Sequence, residues 1–281
     1  MINLQTVQTD TFTMDYCQFG HGAQTLVILP GLSLQKVLGT AEAIAQAYRL
    51  LTDECTIYVF ERRNELPAVY SVHEMAEDTA RAIQALGIGP VSIFGASQGG
   101  MMAMDIAIHH PALVSRLILG STSARLTDAQ CDQFESWRRL ARAGSTEALC
   151  LAFGEAIYPA GVFARVKEPL RALARSVTEK DLQRFLILSG SLRGVDFLCD
   201  VNSIACPVLI LGSRDDRVLG VDASLEIAQA LPEGAGCELY LYDGYGHAAY
   251  DLAPDYKARM LRFLQTREPV FPAPRTGKHS P

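Results

Sequence analysis

Three short stretches carry residue types that together could do nucleophilic chemistry. The first is Gly95-Ala96-Ser97-Gln98-Gly99, a serine with a glycine two places before it and two places after. The second is Gly212-Ser213-Arg214-Asp215-Asp216, and the third is Asp243-Gly244-Tyr245-Gly246-His247. A serine hydroxyl is a weak nucleophile near neutral pH, so attack requires an imidazole to take its proton. The imidazole in turn requires a carboxylate to hold its tautomer and favour its cation. Ser97, His247 and an acid of the second stretch, Asp215 with Asp216 beside it, supply those groups. The tetrahedral anion formed on attack needs two preorganised donors. The N–H of Gln98, first in the helix after the serine, is one candidate. The N–H of Leu32, in the loop that Pro30-Gly31 turns, is the other. The chemistry implied is acyl transfer to water.

Such groups work only if secondary structure carries them to one place. Val91-Ser92-Ile93-Phe94 reads as a strand running into the serine, and Met101 to Ile108 as a helix running out. A sharp strand-to-helix turn would lift the hydroxyl clear of a sheet and crowd positions 95 and 99, which glycine tolerates. A glycine-rich βα loop that binds phosphate or only turns a corner is the plainer alternative for this stretch alone. Around it, residues 4–19 read as an antiparallel hairpin, and Thr25–Leu29 as a strand buried on both faces. Helical spacing follows over 37–51, then a strand at Thr56–Phe60 and a capping box, Ser71-Val72-His73-Glu74, opening a helix that runs to Gly87. Arg116–Leu119 is a further strand. The rhythm then breaks: 127–203 shows only helical stretches, with starts at Thr127-x-x-Gln130 and Thr178-x-x-Asp181. It resumes with a strand at Val208–Leu211, a helix over 222–231, a strand over 238–242 and a last helix near 250–266. Alternation of this kind predicts a mostly parallel three-layer α/β fold with helices on both faces, interrupted once. Asp215 and His247 each follow the carboxyl end of a strand, as Ser97 does, so all three belong at the sheet edge where ligands gather.

Composition narrows the class. The chain has 281 residues, 49% of them apolar, enough for one substantial core. A net charge of −6 without a lysine or arginine block argues against nucleic acid or anionic membrane as partner. No apolar run approaches the roughly 18–20 residues of a membrane span, and the start lacks the pattern of a secretory signal. The seven cysteines are scattered, without C-x-x-C pairs or zinc spacing, and read as reduced packing residues. A soluble cytoplasmic protein acting on a small molecule is expected, its oligomeric state open.

Over residues 1–266 the chain resembles the α/β-hydrolase superfamily, of the kind with a helical cap. The matching pieces are Pro30-Gly31-Leu32, Gly95-Ala96-Ser97-Gln98-Gly99-Gly100, Gly212-x-x-Asp215 and Gly246-His247. The order Ser, Asp, His along the chain is that of the superfamily. The resemblance implies a core domain of 1–126 and 204–267 and a cap of 127–203 over the site; the tail from 268 to 281, with its prolines, Gly277 and Ser280, reads as disordered by composition. It implies no cofactor and no metal. Its spacing from Gly212 favours Asp215 over Asp216, leaving Asp216 as a solvated or salt-bridged neighbour, of Arg217 for instance. The chain departs from the pattern at Pro30-Gly31, where His-Gly is common, and at Glu61-Arg62-Arg63-Asn64, where Asp-x-Arg-Gly is common.

The remaining candidates have plainer readings. His73 opens a helix, His109 and His110 end one where a cation suits the dipole, and His279 is in the tail. His21 is kept only as a neighbour of the oxyanion loop. Trp137, Phe153, Tyr158 and Phe163 could line an acyl pocket but at helical spacing read first as packing, as do Met101, Met102 and Met104. The arginines at 138, 139, 142, 171 and 175 read as a solvated helix face.

A serine nucleophile speaks against the dehalogenases and epoxide hydrolases of the superfamily, which use aspartate. Ala248 after the histidine speaks against the carbon–carbon hydrolases, and Gln98 after the serine against the proline iminopeptidases. Hydrolysis of a small or medium carboxylic ester is the leading expectation, with lactone, thioester, amide or carbon–carbon cleavage as alternatives. A slow-turnover small-molecule receptor, and a cofactor-free haloperoxidase or lyase, are the readings from other classes.

Overall fold

The computed structural model of the chain describes residues 2–232, 234 and 236–266; the expected tail from 268 lies outside them. Eight strands form one sheet: β1 (Asn3–Gln8), β2 (Thr13–Gly20), β3 (Gln24–Leu29), β4 (Cys55–Arg63), β5 (Val91–Ala96), β6 (Val114–Gly120), β7 (Val208–Ser213) and β8 (Cys237–Tyr242). Their order across the sheet is β1-β2-β4-β3-β5-β6-β7-β8. β1 and β2 are antiparallel to their neighbours, and every pairing from β4 to β8 is parallel. The helices are α1 (Ala41–Ala47), α2 (Val72–Leu86), α3 (Gln98–His109), α4 (Asp128–Arg142), α5 (Thr146–Ile157), α6 (Ala160–Ser176), α7 (Glu179–Gly190), α8 (Val221–Ala230), α9 (Ala249–Leu252) and α10 (Tyr256–Gln265).

Side chains alternate along each strand, so one run of apolar residues feeds two cores. Val27 and Leu29 join a core with Met75 of α2, Met102 of α3 and Ile227 of α8, whereas Leu26 and Ile28 join another with Ala41 of α1 and Met260 and Phe263 of α10. That makes three layers, as expected. Registers place Leu29 beside Gly95, Ala96 beside Gly120, Gly120 beside Leu211 and Ser213 beside Tyr242. The carboxyl ends of β3, β5, β6, β7 and β8 therefore finish along one edge.

The capping boxes at Ser71, Thr127 and Thr178 are all present, each with a hydroxyl accepting from the third helical N–H and the side chain there accepting from the cap N–H. Helices α4 to α7 fill the interval between β6 and β7, where the only β pairing among the described residues is a single bridge, Arg125 to Asp196. Two helices are more broken than their spacing suggested. Residues 37–51 form a 3-10 turn, α1 and a second 3-10 turn. The last helix divides into α9 and α10 around Ala253-Pro254, because proline cannot donate to a helix and disfavours helical backbone before it. β4 runs three residues past Phe60, which carries Glu61 and Arg62 into the interior at 2% and 4% exposure. No helix of the described residues is long and apolar enough to cross a membrane. Cys17, Cys55, Cys150 and Cys206 are buried as expected, but Cys199 and Cys237 are exposed.

Candidate active site

Ser97 stands between β5 and α3 in a backbone conformation few L-residues adopt, with φ 52° and ψ −122°. A Cβ at position 95 would lie 2.3 Å from the carbonyl oxygen of Gly99, and one at position 99 would lie 2.0 Å from that of Leu29. Both glycines are thus required by close approach. The turn is pinned on either side: Ser97 N–H donates to the Gly120 carbonyl at 2.9 Å, and the Ser97 carbonyl accepts from Thr122 Oγ1 at 2.7 Å and from Gly100 N–H at 2.8 Å. The loop after β3 lies against the serine, since a Cβ on Gly31 would come within 3.1 Å of Ser97 Cβ. The N–H groups of Leu32 and Gln98 take no protein acceptor among the described residues. They remain available to an anion formed beside the serine.

The acid beside His247 is Asp216, not Asp215. His247 Nδ1 lies 2.9 Å from Asp216 Oδ2, and both side chains are buried, at 3% and 2% exposure. Asp216 Oδ1 accepts from the N–H groups of Val218 at 2.8 Å and Leu219 at 3.1 Å. Burial pushes the Asp216 carboxyl upward, but the charge and hydrogen bond of His247 and the two amides outweigh it and hold the group below its ordinary range. An ionised carboxylate only accepts, so Nδ1 donates to it, and in the neutral ring Nε2 is left with the lone pair. Asp215 is exposed and used elsewhere: Oδ1 accepts from Ser213 Oγ at 2.8 Å and Gly244 N–H at 3.0 Å, and Oδ2 from Gly246 N–H at 3.1 Å. It ties the loop after β7 to the loop that presents His247. The chain turns sharply after Ser213, with Asp216 N–H donating back to the Ser213 carbonyl, so adjacent acids point to opposite sides of the loop. Nor does Asp216 pair with Arg217, whose guanidinium reaches the carbonyls of Glu155 and Tyr158 at the end of α5.

Ser97 and His247 line one narrow cavity of about 20 Å³, with Leu32, Phe134, Trp137 and Phe153 among its walls. That is about the room a single water needs. Of the expected aromatic lining, Trp137 and Phe153 are in the wall, joined by Phe134, while Tyr158 and Phe163 are not. The rings of Phe134, Trp137, Phe153 and Phe185 contact edge to face in series, so they are both lining and packing. His21 is far from the oxyanion loop: it precedes the amino end of β3 and faces Asp53 at 3.5 Å in solvent. Met101, Met102 and Met104 are core residues. Among the arginines of the insertion, Arg138 and Arg142 pair with Glu135, and Arg171 with Glu147 and Glu168.

A polar lattice lies behind the cavity, built from residues outside the three sequence stretches and from Gln98. Arg62 Nη2 donates to the Pro30 carbonyl at 2.9 Å and to Gln98 Oε1 at 3.2 Å, and Gln98 Nε2 donates to the Leu188 carbonyl at 2.7 Å and Ser191 Oγ at 3.0 Å. Arg184 of α7 pairs with buried Glu61 at 3.1 Å and donates to the Ser33 carbonyl, also at 3.1 Å. Burial, and behind it the charge of Arg184, lower the Arg62 guanidinium to about 10. The loop after β3, the serine turn and α7 thus share one network. Its signal in the sequence was the departure at Glu61-Arg62, two charges continuing an apolar strand.

Comparison with known proteins agrees with this architecture. Residues 25–254 match the family model described as the alpha/beta hydrolase fold. The chain is 27% identical over 245 residues, 84% of its length and 93% of the relative's, to a protein of Agrobacterium fabrum named "Putative carbamate hydrolase RutD". It superposes with a TM-score of 0.84 at 19% identity, over 95% of this chain and 99% of the other, on MGS-M2, an alpha/beta hydrolase from a Medee basin deep-sea metagenome library. The enol-lactonase of Burkholderia xenovorans LB400 superposes with a TM-score of 0.80 at 17% identity, over 93% and 100% of the two chains. The chain is an enzyme-class protein of this lineage: it belongs to the α/β-hydrolase fold family.

Proposed function

We propose that the protein is a serine hydrolase of small carboxylic esters that works through an acyl-enzyme. The observation that carries the reading is the buried His247–Asp216 pair, at 2.9 Å, whose imidazole lines the same cavity as Ser97. Ser97 Oγ attacks the carbonyl carbon while His247 Nε2 takes its proton, and Asp216 stabilises the imidazolium through Nδ1–H. The N–H groups of Leu32 and Gln98 hold the oxyanion. The tetrahedral centre collapses, His247 returns the proton to the leaving alkoxide, and an alcohol departs. Water, deprotonated by His247, then attacks the acyl-enzyme, and collapse of the second tetrahedral centre frees the acid and Ser97. Helices α4 to α7 act as the cap, and the small cavity favours short acyl groups unless those helices shift.

The name of the Agrobacterium relative favours a second substrate for the same steps, a carbamate, whose carbonyl accepts the serine in the same way. Intact-mass labelling with a fluorophosphonate, wild type beside Ser97→Ala, tests the nucleophile. One adduct per chain, lost in the variant, is expected. Turnover of nitrophenyl esters of rising acyl length beside an aryl carbamate then ranks the two substrates. No adduct on folded wild type would overturn the activated serine and turn attention to a receptor.

A further inference from the structure

The molecule holds a second cluster of chemistry-bearing side chains, distant from Ser97 and unused in the proposed mechanism. His73 in the first turn of α2, Asp105 in α3 and His109 one turn later converge where these two helices pack. His73 Nδ1 lies 3.0 and 3.2 Å from the two carboxylate oxygens of Asp105, and His109 Nδ1 lies 3.3 Å from Oδ1. The three potential ligand atoms all lie within 4.8 Å of one another. Tetrahedral zinc with bonds of about 2.0–2.1 Å places neighbouring ligand atoms roughly 3.3 Å apart, so two edges of that figure are already nearly formed. The carboxylate is 8% exposed and the two imidazoles are 53% and 48% exposed. The acid is therefore a fixed inner ligand and the rings are outer ones that can turn. Among the described residues no lysine or arginine pairs with Asp105.

We propose that His73, Asp105 and His109 form a binding site for a late first-row divalent cation, with zinc(II) as its test ligand. Two imidazoles and a carboxylate suit such a cation rather than magnesium or calcium, which take oxygen ligands. His109 Nδ1 also lies 3.0 Å from the Asp105 backbone carbonyl, a contact the ring gives up on turning to a metal, and any proton on a ligating nitrogen leaves on binding, so binding releases protons to solvent. The site joins α2 to α3 eight residues beyond Ser97, about 12 Å along the helix. It is a staple across two helices and has no contact with the reacting atoms.

The test uses the full chain, titrated with zinc chloride against a chromogenic chelator, beside His73→Gln, His109→Gln and the double variant. Glutamine keeps a donor for Asp105, and a wild-type melting temperature without metal shows that the variants fold. The wild type is expected to bind one equivalent, to melt several degrees higher with zinc, and to lose at least about tenfold in affinity in each single variant. Cobalt(II) should give visible bands of nitrogen and oxygen coordination without a thiolate charge-transfer band, which separates this site from exposed Cys199 and Cys237. Zinc affinity unchanged in the double variant, or a thiolate band with cobalt, would overturn the proposal.

Discussion

One residue separates Asp215 from Asp216, and the two have different surroundings. Asp216 is sealed against His247 and two amides, whereas Asp215 cross-links two surface loops. Asp216→Asn should therefore lower kcat by roughly 10³–10⁴, because the imidazole loses the partner that fixes its tautomer. Asp215→Asn should lower it less than about tenfold, since loop bonds of this kind are worth about 1–3 kcal/mol each and do not touch the reacting atoms. Steady-state kinetics on one nitrophenyl ester decides between them; equal losses would refute the assignment of Asp216. The same carboxylate links stability to pH. Its folded value is held below the ordinary 3.8, so the unfolded chain binds the proton first as pH falls. The contribution is complete above the unfolded value and disappears as pH falls through the folded one. Denaturant unfolding should show the gap between wild type and Asp216→Asn narrowing across that acid window. Constancy of the gap would mean that the pair contributes nothing through ionisation.

At the scale of elements, the serine turn is a strand and a helix forced closer than side chains allow. A methyl at position 99 would meet the Leu29 carbonyl oxygen at 2.0 Å, and backbone of a central strand cannot move aside. Gly99→Ala should cost at least about 3 kcal/mol, beyond the usual range for an added methylene in a core that can relax. A urea midpoint within error of wild type would show that the turn is looser than its geometry implies. These elements were largely legible in the chain. Continuous apolar runs marked the parallel strands, and Ser71, Thr127 and Thr178 marked helix starts, because capping is a contact between residues three apart. The last helix reads as one span by periodicity, and Pro254 inside it is what divides it.

At the scale of the molecule, α4 to α7 are fastened to the sheet through buried polar groups. One such tie is the ion pair of Arg184 of α7 with Glu61 of β4, whose side chains are 13% and 2% exposed. Arg184→Met would leave the Glu61 carboxylate buried with, among the described residues, only the Leu38 N–H at 2.9 Å as hydrogen-bond partner. Breaking one side of such a pair typically costs about 3–5 kcal/mol. The same change frees the Ser33 carbonyl and thus the loop after β3 that carries the proposed oxyanion donor, so kcat should fall while KM changes little. Thermal melting and kinetics on the variant check both, and unchanged values in both would mean that α7 docks by apolar packing alone.

The sequence by itself determined what depends on neighbours along the chain: the α/β rhythm, the glycines about Ser97, the helix caps, and the placement of serine, acid and histidine after strand ends. These are local rules, set by sterics and by side-chain periods of 2 and 3.6. Only the tertiary structure decided which of two adjacent acids faces His247, since that depends on where a sharp turn sends each side chain. It likewise brought His73 to Asp105, and Arg62 to Pro30 and Gln98, across 32, 32 and 36 residues of chain. Contacts of that span arise from helix packing and sheet order, which no local pattern encodes.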